Sequence, residues 1–223
     1  MSDALQALSR HLAADVQSLA TIGQNTANSH TPGYRAVRTV PDFATQAGLR
    51  NGLDQRDGGL AQTTRPLDLA LRGPGFFVVE RDGRTLLTRA GALRLDAEGT
   101  LVTAGGDRVL GDSGALSLSE GAVRVDADGQ LWSGERSAGR LQIVSVADTS
   151  ALRPAGDGLY EYAGPVEQWQ GTIVQGALER ANVDAADEML RMMETTRHVE
   201  SVRRAITTYD QMLDTGINRL GDN

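Results

Sequence analysis

The sequence contains no cysteine and no lysine, has few aromatic residues and has no long apolar run. The absence of cysteine excludes disulfide bonds, thiolate catalysis and cysteine-ligated metal sites. No stretch approaches the ~18 apolar residues of a membrane-spanning helix, so we expect no direct membrane insertion. The aromatic content of 4% means that aromatic rings cannot dominate the core. The net charge of -7 argues against a nucleic-acid-binding protein.

All 22 basic residues are therefore arginines. Arginine favours bidentate ion pairs of defined geometry over the diffuse point charge of lysine. A genome-level bias toward arginine explains the same composition equally well. The 223 residues suffice for one or two domains with a real core. The sequence does not open with a basic region followed by an apolar run, so we expect no cleaved signal peptide.

The first segment, residues 1–34, has the periodicity of an amphipathic helix followed by a turn. Its apolar residues recur at steps of three or four, at Leu5, Leu8, Leu12, Val16, Leu19 and Ile22. This narrow stripe is typical of a coiled-coil seam. Asn28 tolerates the left-handed conformation that often ends a helix. Pro32 and Gly33 suit a type II turn, and Tyr34 follows them as an aromatic anchor.

Residues 35–65 and residues 66–170 differ in their patterns. Glycines and charged residues interrupt the first of these segments, which predicts an extended polar connector. The second contains short apolar or alternating runs, such as residues 76–79, separated by turn signals. The turn signals are the dipeptides Asp82-Gly83, Glu98-Gly99, Gly105-Gly106 and Asp128-Gly129. The pattern predicts an all-β domain of the sandwich or irregular-barrel kind.

A long helix is predicted within residues 171–223, with Asn182 or Asp184 as its cap. A seam of heptad spacing follows, formed by Val199, Val202, Ile206, Tyr209 and Leu213. Met189 and Met193 lie upstream, where methionine either fills a core or provides an adaptable subunit contact. We therefore predict an α+β protein. Its N- and C-terminal α-helices form a coiled-coil-like helical domain, and an all-β domain is inserted between them.

The sequence shows no catalytic, cofactor-binding or metal-ligating constellation. The histidines His11, His30 and His198 lack the spacing of metal ligands or of a catalytic triad. The stretch from Arg124 to Glu135 is similar to a calcium loop, but an arginine occupies its first position, so we expect a hairpin turn. We predict that the protein is not an enzyme and that it binds no cofactor and no metal.

Motifs along nearly the whole chain resemble those of the bacterial flagellar basal-body rod and hook proteins. The N-terminal signature of that family is matched by Asn25, Ala27, Asn28, Thr31, Pro32, Gly33 and Tyr34. The central motif is matched by residues 67–71, by Gly75, Phe76 and Phe77, and by residues 88–91. The C-terminal signature is matched by Gly176, Leu178, Glu179, Asn182 and Val183. Each motif alone is weak, but together and in this order they are specific.

The resemblance implies a structural subunit of the basal-body rod, because the chain is too short for a hook subunit with an extra outer domain. It favours a proximal-rod subunit, with a distal-rod subunit as the alternative. Family members polymerise through their terminal helices into a helical drive shaft that transmits torque from motor to hook. The resemblance further implies partners that are copies of the chain and other rod and hook axial proteins. It also implies type III export without a cleaved signal, and a location in the periplasmic part of the flagellum.

Two other functions remain open at this point. One is a secreted β-domain module, for example a glycan-binding one, with helical oligomerisation ends. It requires a cleft with converging carboxylates or exposed rings that stack on sugars, and the candidate rings are Trp132, Trp169, Tyr160 and Tyr162. The other is a coiled-coil adaptor, which would form a closed dimer or trimer, whereas a rod subunit forms an open-ended polymer.

Overall fold

The computed structural model describes residues 2–42, 48–119 and 121–221, with the side chains of 6–39, 52–119, 121–209 and 211–212. Helix α1 spans Ser2–Ala27 and helix α2 spans Ala185–Gly221. The strands are β1 Val37–Asp42, β2 Gly48–Leu53, β3 Leu60–Gln62, β4 Leu69–Arg72, β5 Phe76–Arg81, β6 Arg84–Thr88, β7 Leu93–Leu95, β8 Leu101–Thr103, β9 Arg108–Gly111, β10 Gly114–Ala115, β11 Val123–Val125, β12 Gln130–Ser133, β13 Arg136–Arg140, β14 Ile143–Val146, β15 Arg153–Gly156, β16 Leu159–Glu161, β17 Val166–Gln168, β18 Thr172–Gln175 and β19 Ala177–Glu179.

The predicted fold class, α+β with a coiled-coil-like helical domain, is wrong. In the described residues, two α-helices flank a large β-rich region. Val16 in α1 is 57% exposed and Met189 in α2 is 64% exposed, although the seam prediction and the upstream methionine stripe included them. Seam residues of a coiled coil insert between residues of the facing helix, so the contacts do not support a coiled coil. Ordinary amphipathic helices share the same three-four spacing, which explains the error.

The chain divides into two compact units, which are described separately. The helical unit comprises Met1–Ala27, Val37–Asn51 and Asp184–Asn223. The β-rich unit comprises Asn28–Ala36 and Gly52–Val183. Each unit therefore combines segments that are distant in sequence. Strands β1, β2 and β3 lie in the stretch that the sequence pattern predicts to be an extended connector.

In the helical unit, α1 and α2 contact each other, and each contains one buried residue of the predicted seam. Ile22 of α1 is 5% exposed, and Val202 of α2 is 8% exposed. Asp184 caps α2, because its Oδ1 accepts a hydrogen bond from the amide of Ala186 at 2.8 Å. Of the two predicted caps, Asp184 is thus the one confirmed.

In the β-rich unit, the largest sheet has ten strands. Its continuous order is β15-β16-β6-β5-β9-β8-β7; β10 pairs with β9, β14 pairs with β5, and β17 pairs with β14. A second sheet contains β11, β12 and β13. Two further antiparallel pairs join strands from opposite ends of the unit: β18 pairs with β4, and β19 pairs with β3. The last strands of the unit therefore lie beside its first strands.

The two phenylalanines of the central motif lie on opposite faces of β5, because successive side chains of a strand point to alternate faces of the sheet. Phe77 is fully buried in the larger core, together with Leu69 and Leu71 of β4. Phe76 belongs to a second core, where its ring meets Tyr160 edge-on at a centroid distance of 6.0 Å. The predicted buried strand over residues 76–79 is confirmed.

The four predicted hairpin dipeptides are also confirmed as turns. Their glycines have positive φ angles of 75°, 78°, 94° and 91°, at Gly83, Gly99, Gly106 and Gly129. Each glycine lies between two antiparallel strands that are consecutive in the chain. Strands β8 and β9, which flank Gly106, are in register at one position, where Val102 faces Arg108.

Candidate functional site

The turn after α1 has the geometry that its Pro32-Gly33 dipeptide predicts. The amide of Tyr34 donates to the carbonyl of Thr31 at 3.1 Å, and Gly33 has a φ of +71°. A positive φ is what the third position of a type II turn requires. Asn28 contributes acceptors instead of a left-handed cap: its carbonyl accepts from the Thr31 amide at 3.0 Å, and its Oδ1 accepts from the Thr31 hydroxyl at 3.2 Å.

This turn packs directly against the two other family motifs of the sequence. The amide of Gly33 donates to the carbonyl of Glu179 at 2.7 Å. A Cβ atom at Gly33 would lie 2.5 Å from the backbone carbon and oxygen of Arg89. The amide of Asn182 donates to the carbonyl of Tyr34 at 3.3 Å. The N-terminal, central and C-terminal motifs therefore meet at one place in the β-rich unit.

The Asn182 side chain forms hydrogen bonds with three backbone groups at this meeting point. Its Oδ1 accepts from the amide of Ala36 at 2.7 Å. Its Nδ2 donates to the carbonyls of Asp54 and Arg56, at 2.9 and 2.8 Å. One side-chain amide thereby satisfies polar backbone groups from two separate segments.

Beneath the turn lies a charge cluster, formed by Arg35, Asp57, Arg89 and Glu179. Arg89, Arg35 and Glu179 are 1%, 3% and 3% exposed, and the Asp57 side chain is 47% exposed. Arg89 donates through Nε to Oε2 of Glu179 and through Nη2 to Oδ1 of Asp57, the latter at 3.2 Å. Arg35 Nη2 donates to Oδ1 of Asp57 at 2.8 Å and to Oε1 of Glu179 at 3.2 Å. Two buried guanidinium groups thus share two carboxylates.

Backbone groups complete the hydrogen bonding of Arg89. Its Nη2 donates to the carbonyl of Leu71 at 2.8 Å, and its Nη1 donates to the carbonyls of Gly73 and Gly75 at 2.8 and 2.6 Å. Together with Glu179 and Asp57, these carbonyls supply five acceptors for the five N–H groups of the guanidinium. A buried charge persists only when it is paired and hydrogen-bonded in this way.

Burial and ion pairing shift the pKa values of the charge cluster in opposite directions. Burial raises the pKa of Asp57, but the hydrogen bond from Arg35 and the positive charge of Arg89 outweigh it, so the net pKa is lowered from about 3.8. For Arg89, burial lowers the pKa of the guanidinium, while the charge of Glu179 opposes that shift. The cluster therefore depends on its carboxylates being ionised.

We expect acid to destabilise the β-rich unit through Asp57. Because its pKa is lowered in the folded state, its contribution to stability is present above the ordinary value of about 3.8 and is lost as pH falls below that value. The variant Asp57→Asn cannot titrate at this position. Urea unfolding from neutral pH down to about pH 2 should therefore give a shallower acid dependence for the variant than for the wild type. Equal slopes for the two proteins would contradict the role given to this carboxylate.

In the helical unit, Asn25 joins α1 to the start of β1. Its Oδ1 accepts from the amide of Val37 and its Nδ2 donates to the carbonyl of Val37, both at 2.9 Å. The same Nδ2 donates to Oε2 of Glu188 at 3.2 Å, and Arg38 pairs with the other carboxylate oxygen. Asn25 and Glu188 are 1% and 0% exposed. A pocket of about 390 Å³ adjoins them, lined in part by Ser18, Thr21, Thr39, Arg191, Glu194 and Thr195.

The residues predicted to lie at subunit interfaces on the helices range from buried to exposed. Ile22 and Val202 are buried. The half-buried ones are Leu8, Leu12, Leu19, Val199, Ile206 and Tyr209. The exposed ones are Val16, Met189 and Met193. The side chains of Leu5 and Leu213 lie outside the described residues.

The start of α2 carries an exposed apolar patch, which comprises Met189, Leu190, Met192 and Met193. These side chains are 64%, 55%, 38% and 44% exposed. At 100° per residue, the four positions fall within less than half of the helix circumference. Contiguous exposed apolar surface of this kind marks interaction sites in soluble proteins.

The aromatic candidates for sugar stacking are engaged within the protein. The Arg124 guanidinium lies over the Trp132 ring at 5.2 Å, and Trp132 Nε1 donates to Asp126 at 2.7 Å. Tyr160 is 3% exposed. Tyr162 is half-buried, and its hydroxyl donates to the carbonyl of Pro165 at 3.1 Å. Trp169 is half-buried and packs against the larger core. These contacts do not favour the glycan-binding alternative.

Two of the histidines lie within hydrogen-bonding distance of a polar side chain. His198 Nδ1 lies 2.7 Å from Asp15 Oδ2, and His30 Nδ1 lies 3.0 Å from the Ser29 hydroxyl. Within the described ranges, His, Asp and Glu form no group of three or more that could hold a metal ion. Neither helix, over its described residues, has the length and apolarity needed to cross a membrane.

Sequence reasoning missed Arg35 and Asp57 as structural partners of the motif residues. It also missed the buried pair of Arg38 and Glu188. Arg35 directly follows the N-terminal signature, which is the only signal that could have identified it. Nothing in the pattern around Asp57 distinguishes it from the other charged residues of that segment.

Two family models match the chain. One is described as the flagellar basal body rod FlgEFG protein C-terminal region and matches residues 174–220. The other is described as the flagellar hook protein FlgE/F/G D1 domain and matches residues 70–136. The chain is 30% identical to the flagellar basal-body rod protein FlgF of Caulobacter vibrioides, over 92% of each chain. It is 32% identical to the rod protein FlgG of Bacillus subtilis, over 90% of this chain and 92% of the relative.

Proposed function

The chain belongs to the flagellar basal-body rod protein family, and we infer from this membership that it is a structural subunit of the rod. The observation that carries this conclusion is the similarity to a rod protein over 92% of both chains. The protein is therefore a component of the flagellar basal body and serves motility. It assembles there with other rod and hook axial proteins.

We propose that the subunit polymerises through its terminal helices into the helical drive shaft. An open-ended polymer needs a heterologous interface, in which two different surfaces of the subunit meet. The apolar patch on α2 and the exposed Val16 on α1 are candidates for such surfaces. Flexible methionine side chains suit a contact that must adapt to more than one neighbouring subunit.

We further propose that the protein is exported by the flagellar type III apparatus without a cleaved signal and acts in the periplasmic space. We also propose that it is not an enzyme. The relatives are named as flagellar basal-body rod proteins, which supports a structural role and not a catalytic one. In the described part of the chain, the buried arginine, aspartate and glutamate side chains form ion pairs within the protein, as in the charge cluster.

The proposal includes both rod positions, because the chain is about equally similar to FlgF and FlgG relatives. Deleting the gene should abolish swimming and leave basal bodies with truncated or absent rods in electron micrographs. The stage at which assembly stops would assign the subunit to the proximal or the distal rod. Normal swimming and complete rods in the deletion strain would contradict the rod role.

The variant Met193→Glu should prevent assembly while the monomer stays folded. A carboxylate in the apolar patch would have to lose its hydration in any subunit contact that buries the patch. We expect lost swimming and no rod incorporation, with an unchanged unfolding curve of the purified monomer. Ala115→Glu, which adds the same charge at an exposed residue of β10, is the control and should assemble normally. Normal rods from Met193→Glu would remove the patch from the interface.

A further inference from the structure

Residues 172–182 contribute two strands and two anchoring side chains to the β-rich unit. Through β18 they pair with β4 over four registered positions, and through β19 they pair with β3 over three. Among the described strands, β3 and β4 form no other ladder. The segment also buries Ile173 in the larger core, against a cluster that includes Leu69 and Leu71 of β4. Without this segment, β3 and β4 would lose these ladders and the larger core would lose Ile173.

The charge cluster makes the same segment necessary for electrostatic reasons. Arg35 and Arg89 come from early and central parts of the sequence, and both are nearly fully buried. Glu179 is their buried counter-charge, since the other carboxylate, Asp57, is half exposed. A chain that lacks Glu179 would have to bury two guanidinium groups against one partly hydrated carboxylate. Burying a charge without its partner is strongly unfavourable.

Asn182 adds a third requirement. Its side chain holds the amide of Ala36 and the carbonyls of Asp54 and Arg56. Without Asn182, the amide of Ala36 would lose the hydrogen bond that it donates to this side chain, whereas the carbonyl of Arg56 would keep its hydrogen bond from Arg35. Ala36 is fully buried, and an unsatisfied buried backbone amide is costly.

From these contacts we infer that residues 172–182 are a closing segment, without which the β-rich unit does not fold. The ten-stranded sheet is then not an independent folding nucleus to which β18 and β19 are added later. Because the closing segment follows all the other strands in the sequence, the unit stays unfolded until synthesis has passed residue 182. The same order holds for a chain that leaves an export channel N-terminus first. The inference concerns the folding of the monomer and does not depend on the proposed rod role.

Hydrogen exchange of the full-length monomer tests this inference. In low concentrations of denaturant, amides of β5 and β6 should exchange with the same free energy of opening as amides of β18 and β19. In pulse-labelled refolding, these four strands should gain protection with one rate constant. Persistent protection of β5 and β6 while β18 and β19 open, or earlier protection of β5 and β6 on refolding, would overturn the inference.

A variant makes the test sharper. Glu179→Gln keeps the size of the side chain and removes its charge, and it should lower protection in β5, β6 and β18 by one common factor of at least about tenfold. Asn182→Ala should act in the same direction if Glu179→Gln proves too unstable to study. Glu161→Gln is the matched control, because Glu161 lies 3.7 Å from Arg84 in an exposed pair, and it should leave protection unchanged. A loss confined to β3, β4, β18 and β19 would overturn the inference.

Discussion

Replacing Glu179 with alanine is expected to lower the free energy of unfolding of the β-rich unit by about 3–5 kcal/mol, the usual cost of breaking a buried ion pair from one side. The carboxylate is 3% exposed and accepts hydrogen bonds from Arg89, from Arg35 and from the amide of Gly58. Removing it would leave Asp57 as the remaining counter-charge of the cluster. Because native domains have only about 5–15 kcal/mol of stability in total, this loss would unfold a large fraction of a marginal protein.

Urea unfolding of the purified monomer, followed by circular dichroism, measures this effect. Glu161→Ala is the matched control, since its partner Arg84 is exposed and the pair is separated by 3.7 Å. Surface pairs of this kind contribute less than about 1 kcal/mol. A similar small change for both variants would show that the charge cluster does not stabilise the unit.

The substitution Gly33→Ala should have the second large effect. It should lower the free energy of unfolding by about 2–5 kcal/mol, through a conformational cost and a steric cost. The φ of +71° is unfavourable for any residue with a Cβ atom, at about 1–2 kcal/mol. The added methyl group would also lie 2.5 Å from the backbone carbon and oxygen of Arg89. Because this neighbour is backbone and not a flexible side chain, the turn or the strand end must shift to accommodate it, which costs about 1–3 kcal/mol more.

The variant Gly83→Ala separates the conformational cost from the steric cost. Gly83 has nearly the same φ, +75°, but a Cβ atom there would meet nothing within 4 Å. It should therefore lose only the conformational part, about 1–2 kcal/mol. Thermal and urea unfolding of the two variants would give the difference, which is the cost of crowding at the meeting point of the three motifs. Equal losses would mean that Gly33 is required only for its conformation.

Features that depend on neighbouring residues were predictable from the sequence. Asp184 caps α2 because its carboxylate reaches an amide two residues later. The dipeptide Asp82-Gly83 forms a hairpin turn because both residues adopt positive φ, at 52° and 75°. The motifs also pointed to Glu179 and Asn182, although their spacing gave no reason for their importance. In each case the decisive interaction is short-range and its chemistry is visible in the residue types.

Features that depend on distant residues were not predictable. In the sequence, β4 precedes the strands of the largest sheet and β18 follows them, so no local pattern predicts that these two strands pair. The burial of Arg35 and Arg89 is equally invisible, because arginine is ordinarily an exposed residue. The coiled-coil prediction failed for a related reason. The three-four spacing determines which residues share a helix face, but not whether a partner helix covers that face along its whole length. The division into segments 1–34, 35–65, 66–170 and 171–223 stays a prediction.

The most direct test of the rod role is to locate the protein in purified basal bodies. Cryo-electron microscopy of basal bodies, combined with mass spectrometry of the same preparation, would measure whether the chain is present and where. We predict that the chain is a stoichiometric component and that density for its β-rich unit and both helices lies in the rod. Complete rods from motile cells that lack the chain would contradict the account.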